Sequence, residues 1–444
     1  MGRELAIGID VGTSSVKAVA ADEDGTVVAR ARVPHTFRIP TPGRLEHDAR
    51  VAWWDGPRAA YAELGVTGAV GVSVAAMVPS LTAVDAAGVP LGPGLLYGDE
   101  RGRTAAGGGS PAENGELVAF AGWLAREYPD AAGLWPAQAV ANAALGGEGV
   151  LDTATAATAV PLFDWREWDA TVAASIGARV GQFPRLVPTA WKAGTVGGDD
   201  GPVLASGCID AMAEQIVAGA DAPGDVLVIL GTTQITWVVV PEHEIPEVRG
   251  YYSIPHTAEG CFLTGGPSNA GGLFLNWATG LLGPVPDGTR PRDPGAVPVW
   301  APYPRGERAP LDDPDRRAQL VDLDLTHGAV EVRRAAFEAA GFVVRRAIEA
   351  TGTQPRRLVA TGGGVRVDDW VHALADCTGL PVECTAVPEG GALGSAFLAR
   401  MAAGLESGMR DAHRWARVGR AVEPDAAWRD AVDARYARFL ELSR

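Results

Sequence analysis

The sequence predicts an α/β chain of two halves related by an internal duplication. Residues 5–17 read Leu-Ala-Ile-Gly-Ile-Asp-Val-Gly-Thr-Ser-Ser-Val-Lys. An apolar run ends in one carboxylate, Asp10, then Gly12 and the hydroxyl residues Thr13, Ser14 and Ser15, before apolar alternation resumes at Val16. That pattern is strand, tight turn, strand. Residues 225–240 repeat it, with an apolar run entering Gly231, Thr232 and Thr233 and a second apolar run leaving them. Two such units half a chain apart point to a duplication.

The turns suit phosphate. Gly12 lets backbone N–H groups approach an anion, and the neighbouring hydroxyls add donors. Asp10 would repel a phosphate unless a cation stood between them, which makes it a candidate for holding Mg²⁺ beside a nucleotide. The plain alternative is a β-hairpin whose Asp only caps its turn.

Composition narrows the function classes. The 444 residues suffice for two cores, and 47% hydrophobic with 21% charged residues is ordinary for a globular chain. A formal charge of −16 argues against nucleic-acid and anionic-membrane partners. Cys208, Cys261, Cys377 and Cys384 lack CxxC spacing, so neither a zinc site nor a disulfide framework is expected. No signal-peptide pattern opens the sequence and no apolar run reaches the ~20 residues of a membrane span, so a cytoplasmic location is expected.

Along the chain, residues 27–33 continue the first sheet and a proline-rich loop, 34–42, leads to Glu46-His47-Asp48 and a helix carrying Trp53 and Trp54. Of these tryptophans, one in the core and one half exposed is the simplest expectation. Strands at 69–74 and 81–84 follow, separated by Ala76-Met77-Val78-Pro79, and residues 95–97 run into Gly98-Asp99-Glu100-Arg101. Ligand crevices lie at the carboxyl ends of strands in open α/β sheets, so Met77, Tyr97 and Asp99 become site candidates; for Asp99 the alternative is an ion pair with Arg101 or Arg103. Residues 104–115 are expected to form a flexible loop, and 117–127 and 136–144 helices. A short strand then leads to a helix opened by Asp210. Asp is a favoured cap, and a carboxylate at a helix start is kept ionised by the dipole, as a general base requires. Pro223-Gly224 marks the expected boundary between domains 1–222 and 223–444. Beyond it come a glycine-rich loop from Thr264 entering a helix near Trp277, a long amphipathic helix over 328–350 with arginines on its polar face, and a strand ending in Gly362-Gly363-Gly364.

Taken in order, these motifs resemble the FGGY family of carbohydrate kinases, in its xylulokinase-like branch. The resemblance rests on residues 8–17, Leu45-Glu46-His47-Asp48 before Trp53-Trp54, residues 85–90, 97–101, 207–210 and 230–233, Gly306-Glu307-Arg308-Ala309-Pro310, and Gly362-Gly363-Gly364, and it runs to about residue 402. It implies a two-domain actin/hexokinase-like (ribonuclease H-like) fold, ATP with Mg²⁺, and γ-phosphoryl transfer to a sugar or polyol hydroxyl. By position it implies that Asp210 is the catalytic base and also touches substrate, and that Asp10 is the metal-associated carboxylate. Gly12, Thr13 and Ser14 match one phosphate turn and Gly231, Thr232 and Thr233 the other, while Gly272, Asn276, Gly362 and Gly363 border the adenosine. Met77, Val78, Tyr97 and Asp99 line the sugar.

One departure bears on the substrate. Xylulose kinases often carry Gln-Met-His-Gly at the sugar turn, where this chain has Ala76-Met77-Val78-Pro79. A hydroxylated substrate loses a partner there, and buried unpaired polar groups cost about 1–3 kcal/mol each. The resemblance implies a pentulose such as D-xylulose, and the apolar turn implies either weak affinity for ordinary pentuloses or a preference for a substrate with an apolar portion. The rival readings are an idle sugar- or nucleotide-binding relative with a regulatory role and an ATPase scaffold of the chaperone type. A homodimer is the expected assembly.

Overall fold

A computed structural model describes residues 4–102, 116–258, 260–286 and 288–444. The loop expected over 104–115, and Arg103 as a partner for Asp99, lie outside the described residues. The chain forms two compact units, Met1–Val217 with Glu389–Trp415, and Ala218–Pro388 with Ala416–Arg444. The division falls five residues ahead of the expected 222/223 boundary, and a late segment rejoins the first unit.

The first unit is built on a seven-stranded sheet. Its strands are β1 (Ala6–Val11), β2 (Ser15–Ala21), β3 (Val27–Pro34), β4 (Gly71–Ala76), β5 (Lys192–Thr195), β6 (Val203–Ala205) and β7 (Cys208–Ile209). They lie in the order β5-β6-β4-β1-β2-β3, with β7 beside β4. β1, β2 and β3 pair antiparallel, β4 runs parallel to β1, and β6 and β7 run parallel to β4. Both faces of β1 and β4 are buried, which is why they read as unbroken apolar runs rather than alternating ones. Ile7, Ile9, Val11, Val72 and Val74 build the core with Val140 and the fully buried Trp53; Trp54 is half-buried. The helix Gly390–Ala402 of the late segment packs on β1 and β4. Glycines make that approach possible, because a Cβ on Gly8 would stand 1.7 Å from the Ala392 carbonyl oxygen and one on Gly71 2.6 Å from that of Ala399.

A smaller sheet of Phe37–Arg38, Glu46–Asp48, Pro93–Leu96, Ser80–Val84 and Gly133–Trp135 completes the unit with helices α1 (Glu116–Glu127), α2 (Ala137–Ala144) and α3 (Asp210–Ala218).

The second unit repeats the topology. Its strands are β8 (Asp225–Leu230), β9 (Gln234–Pro241), β10 (Tyr252–Pro255), β11 (Cys261–Ser268), β12 (Arg357–Thr361), β13 (Val382–Thr385) and β14 (Val418–Val422). The order is β10-β11-β9-β8-β12-β13-β14. β8, β9 and β11 pair antiparallel as β1, β2 and β3 do, β12 runs parallel to β8 as β4 does to β1, and an antiparallel strand closes the far edge in both sheets. The glycine-rich stretch after Thr264 is therefore strand through Ser268, not loop. Gly265 lets β11 sit close to β9, where a Cβ would stand 2.0 Å from the Thr236 carbonyl oxygen. Helix α4 (Gly272–Gly280) follows that strand, and α5 (Ala329–Thr351) runs through the core. The arginines of α5 expected on a polar face include two that are buried. Arg334 pairs with Glu338 at 2.8 Å and Asp376 at 2.7 Å, and Arg333 with Asp369 at 2.7 Å.

Candidate active site

In the first unit the register of the sheet gathers the candidates. Asp10 lies beside Ala75, and Ala75 beside Cys208, so β1, β4 and β7 finish along one edge. The turn after β1, the turn from Ala76 to Pro79 after β4 and Asp210 after β7 all stand there.

The turn from Gly12 to Ser15 is held from several sides. Gly12 N–H donates to the Ser15 carbonyl at 3.2 Å and His35 N–H to the Ser14 carbonyl at 3.0 Å. Thr13 Oγ1 shares a hydrogen bond of 2.7 Å with the Tyr97 hydroxyl. Trp53 Nε1–H donates to His47 Nδ1 at 2.9 Å, which makes Nε2 the protonated nitrogen, and Nε2–H donates to the Thr13 carbonyl at 2.8 Å. Burial, with His35 close by, lowers His47 to about 4, so the neutral tautomer that this relay needs is the stable one. The sequence signal for His47 was its motif with Glu46 and Asp48, but nothing local tied it to the turn.

Asp10 is buried and its Oδ2 lies 3.2 Å from Lys17 Nζ. The two residues face each other across the β1–β2 hairpin, a pairing that follows from the hairpin register and was missed in the sequence. The carboxylate's charge raises Lys17 against the effect of burial. An all-oxygen donor suits a hard cation. Among the described residues no group of three or more His, Cys, Asp or Glu stands together as a metal cage.

Asp210 opens α3, and its Oδ1 accepts the Ala211 N–H at 2.7 Å. Burial first, then the negative charge of Asp10, push it up to about 7, with Glu214 adding to the rise and Lys17 opposing it. The expectation of a carboxylate kept fully ionised by the helix dipole is thus corrected, because desolvation and a like charge outweigh the dipole. Sequence reading also passed over Glu214, one helical turn beyond Asp210.

The sugar-side candidates separate. Met77 is packed in the core and its N–H donates to the Val11 carbonyl at 3.2 Å, whereas Val78 is half-buried. Tyr97 reaches Thr13 in the turn after β1. Asp99 is fully buried and accepts from Leu45 N at 2.6 Å and from Arg101 through Nε at 2.8 Å and Nη2 at 2.7 Å, while Arg101 also binds Glu46 at 2.8 Å. Its carboxylate is consumed by the ion pair, so Asp99 shapes the loop rather than facing a ligand.

In the second unit Gly231 N–H donates to the Thr233 carbonyl at 3.0 Å, closing a turn one residue tighter than the one at Gly12. The start of α4 sits on this turn, with Gly272 N–H on the Gly231 carbonyl at 2.9 Å and Leu273 N–H on the Thr232 carbonyl at 3.0 Å. A Cβ on Gly271 would stand 2.4 Å from the Thr233 backbone. Asn276 is exposed on α4. Because β12 runs beside β8, Gly362 and Gly363 fall at the same edge, Gly362 with φ +87° and Gly363 in open space. Buried Glu307 braces the loop entering α4, accepting Asn269 N–H at 2.9 Å, Arg308 N–H at 2.7 Å and Ser268 Oγ–H at 2.8 Å.

Fold and site define a two-domain phosphotransferase of the actin/hexokinase-like class. Models of the N-terminal and C-terminal domains of the FGGY family of carbohydrate kinases match residues 5–107 and 227–403, and the chain belongs to that family. It is 27% identical to a xylulose kinase of Escherichia coli strain K12 over 98% of both chains. It is likewise 27% identical to a glycerol kinase of Aromatoleum aromaticum, over 99% of this chain and 98% of the relative. The crystal structure of xylulose kinase from Rhodospirillum rubrum superposes with a TM-score of 0.79 at 26% identity, covering 99% of this chain and 98% of that one. The chain is a sugar kinase, transferring a phosphoryl group to an alcohol. No helix among the described residues is long and apolar enough to cross a membrane.

Proposed function

We propose that this carbohydrate kinase transfers the γ-phosphoryl group of ATP to a hydroxyl of a pentulose, D-xylulose being the first to test. The observation that carries the reading is the convergence of Asp10, the Gly12–Ser14 turn and Asp210 on one sheet edge, with Asp210 poised near neutrality. Identity to xylulose kinases supports the choice of sugar.

Asp210 would take the proton of the attacking hydroxyl, a role for which a pKa near the working pH is suited. Backbone N–H groups of Thr13 and Ser14, and of Thr232 and Thr233, would donate to phosphate oxygens, the Gly12 and Gly231 N–H groups closing the turns themselves, so that positioning and charge neutralisation supply most of the acceleration. Gly272, Asn276, Gly362 and Gly363 would border the adenosine, whose flat ring needs the open backbone that glycine leaves. Val78 and Tyr97 would contact the sugar, Met77 supporting them from the core, with Asp99 holding Arg101 and Glu46 in place. Asp10 would hold Mg²⁺, which when bound neutralises charge on the phosphate oxygens. Use of ATP goes with a cytoplasmic location. A homodimer goes with the same reading and is tested by size-exclusion chromatography with light scattering.

The test is ADP release by the purified chain across pentuloses, hexuloses and polyols, repeated over a Mg²⁺ titration for the wild type and Asp10→Ala. Turnover is expected with a pentulose, and Asp10→Ala should demand more Mg²⁺ and reach a lower maximal rate. Turnover confined to polyols or aldonates would overturn the sugar assignment, and an unchanged Mg²⁺ curve would remove Asp10 from the cation site.

A further inference from the structure

Behind β7, inside the first unit, polar side chains are buried with no part in the chemistry described above. Gln138, Asn142, Asp152 and Ser206 are each at most 1% exposed. Most of their bonds meet at Ser206. Gln138 Nε2–H donates to the Ser206 carbonyl at 2.6 Å, and Asn142 Nδ2–H donates to the same oxygen at 2.9 Å. The Ser206 N–H donates to the Trp191 carbonyl at 2.7 Å, and Ser206 Oγ accepts the Trp191 N–H and donates to the Pro188 carbonyl, each at 3.2 Å. Gln138 Nε2–H also reaches Asp152 Oδ1 at 3.2 Å, and two acceptors on one side fix which way the amide points. Gln138 and Asn142 stand four residues apart on α2, so they share one helix face.

Ser206 needs such bonds because the sheet ladder skips it. β6 and β7 both pair with β4, Leu204 opposite Val72 and Cys208 opposite Ala75, so four steps along this chain match three along β4. One residue is extra at Ser206–Gly207, as in a β-bulge. Gly207 makes the bulge with φ +83°, and a Cβ there would stand 2.1 Å from the Val74 carbonyl oxygen. Partners in a parallel pair share a face, so Asp10, Ala75 and Cys208 share one. Asp210, two residues beyond Cys208, leaves β7 on that face. Without the extra residue, alternation would send it to the other.

We propose that Gln138 and Asn142 are positioning residues for phosphoryl transfer, locking the Ser206–Gly207 bulge so that Asp210 emerges on the face of Asp10. The inference rests on the reading of Asp210 as the base. An amide in a core is unfavourable unless it is hydrogen-bonded, and Met or Leu at either position would fill the space with no polar group to satisfy. What the two amides add is a fixed place for one backbone oxygen, four residues ahead of Asp210. A small displacement there is carried along β7 to the carboxylate, and a base misplaced by about 1 Å can cost ~10²-fold in rate.

The experiment is a double-mutant cycle on the full chain. Gln138→Met and Asn142→Leu nearly keep side-chain volume and remove the donors. Each is made in the wild type and in Asp210→Asn, and ADP release is measured with D-xylulose, or with whichever pentulose, hexulose or polyol turns over fastest. In the wild-type background kcat is expected to fall about tenfold or more for Gln138→Met, and less for Asn142→Leu, which leaves the shorter bond in place. The KM for ATP should not move, because these bonds run to Ser206 and not to either Gly-Thr turn. In Asp210→Asn the same substitutions should change the residual turnover by no more than about twofold, since the group they act through is gone. Equal losses in both backgrounds, with a lowered melting temperature, would make the network a prop of the core and overturn the proposal. Loss of a cooperative melt in both variants would overturn it in the same way. Wild-type kcat in both variants overturns it while leaving Asp210 as the base. Near-wild-type turnover in Asp210→Asn, or none by the wild type with any acceptor, overturns the reading of the base and this inference with it.

Discussion

Asp210 is where local chemistry and tertiary environment disagree most. A helix start favours its charged form, yet burial and Asp10 raise it to about 7. Two consequences follow from the sign. In the proposed role of base Asp210 acts as the carboxylate, so kcat/KM for the sugar should rise with pH on a limb centred near 7, and Asp210→Asn should lose ~10²-fold or more in kcat with the Kd for ATP nearly intact. In Asp10→Asn the limb of whatever turnover remains should move to lower pH, because the strongest like charge is gone. Stability runs the other way. A raised carboxylate contributes stability that is present below its ordinary value near 3.8 and lost as the pH climbs through about 7, so Asp210→Asn should melt no lower than the wild type at pH 8. Near-wild-type turnover in Asp210→Asn would reduce the residue to a helix cap.

At the scale of the element, the turn from Gly12 to Ser15 owes its shape to neighbours rather than to its own sequence. The relay from Trp53 through His47 to the Thr13 carbonyl works only with a neutral imidazole. Its ring is held at about 4 in the fold against 6.5 when free. Between those values the unfolded chain binds the proton and the folded chain does not, so stability is complete above about 6.5 and falls as the pH drops toward 4. Gln at this position can accept from Trp53 and donate to Thr13, so His47→Gln should keep activity at pH 8 and flatten the acid-side loss of melting temperature. His35, also lowered by burial, leaves a residual slope. An unchanged acid profile in His47→Gln would show that the relay does not set this turn's stability. The second turn is one residue shorter and is braced differently, by the start of α4 and by Glu307 behind it.

Across the whole molecule, the first unit is completed by a segment from late in the chain. The helix Gly390–Ala402 covers β1 and β4, and Gly8, Gly71 and Gly394 let it come within backbone distance of what it covers. A Cβ on Gly394 would stand 1.9 Å from the Ala213 carbonyl oxygen, so the same helix also backs α3 and its Asp210. Gly8→Ala should cost about 1–3 kcal/mol through overpacking. A fragment ending at residue 217 should fail to fold cooperatively, and a version with 389–415 joined by a flexible linker should recover a sharp melt. A cooperative transition in the shorter fragment, read by circular dichroism, would show that the returning helix is dispensable.

The duplicated strand–turn–strand units, the paired Gly-Thr turns and the place of Asp210 at a helix start were legible in the sequence, because each is a local pattern of apolar period and turn chemistry. The family was legible too, since its motifs keep their order along the chain. Other features waited for the fold. For Asp99 the sequence left a ligand group and an ion pair with Arg101 both open, and the structure shows that pair together with a bond from Leu45 N–H that no local pattern announced. The stretch from Thr264 looked like a loop until β9 and β10 were found to pair with it on both sides. Arginines in a helical pattern looked solvated, yet Arg334 and Arg333 are buried against carboxylates brought from α5 itself and from residues 369 and 376. In every case the deciding partner lies far along the chain or the burial comes from another element. Sequence pattern specifies backbone and period; the ionisation of Asp210 is set by desolvation and the tautomer of His47 by the indole of Trp53, and only the packed structure supplies either.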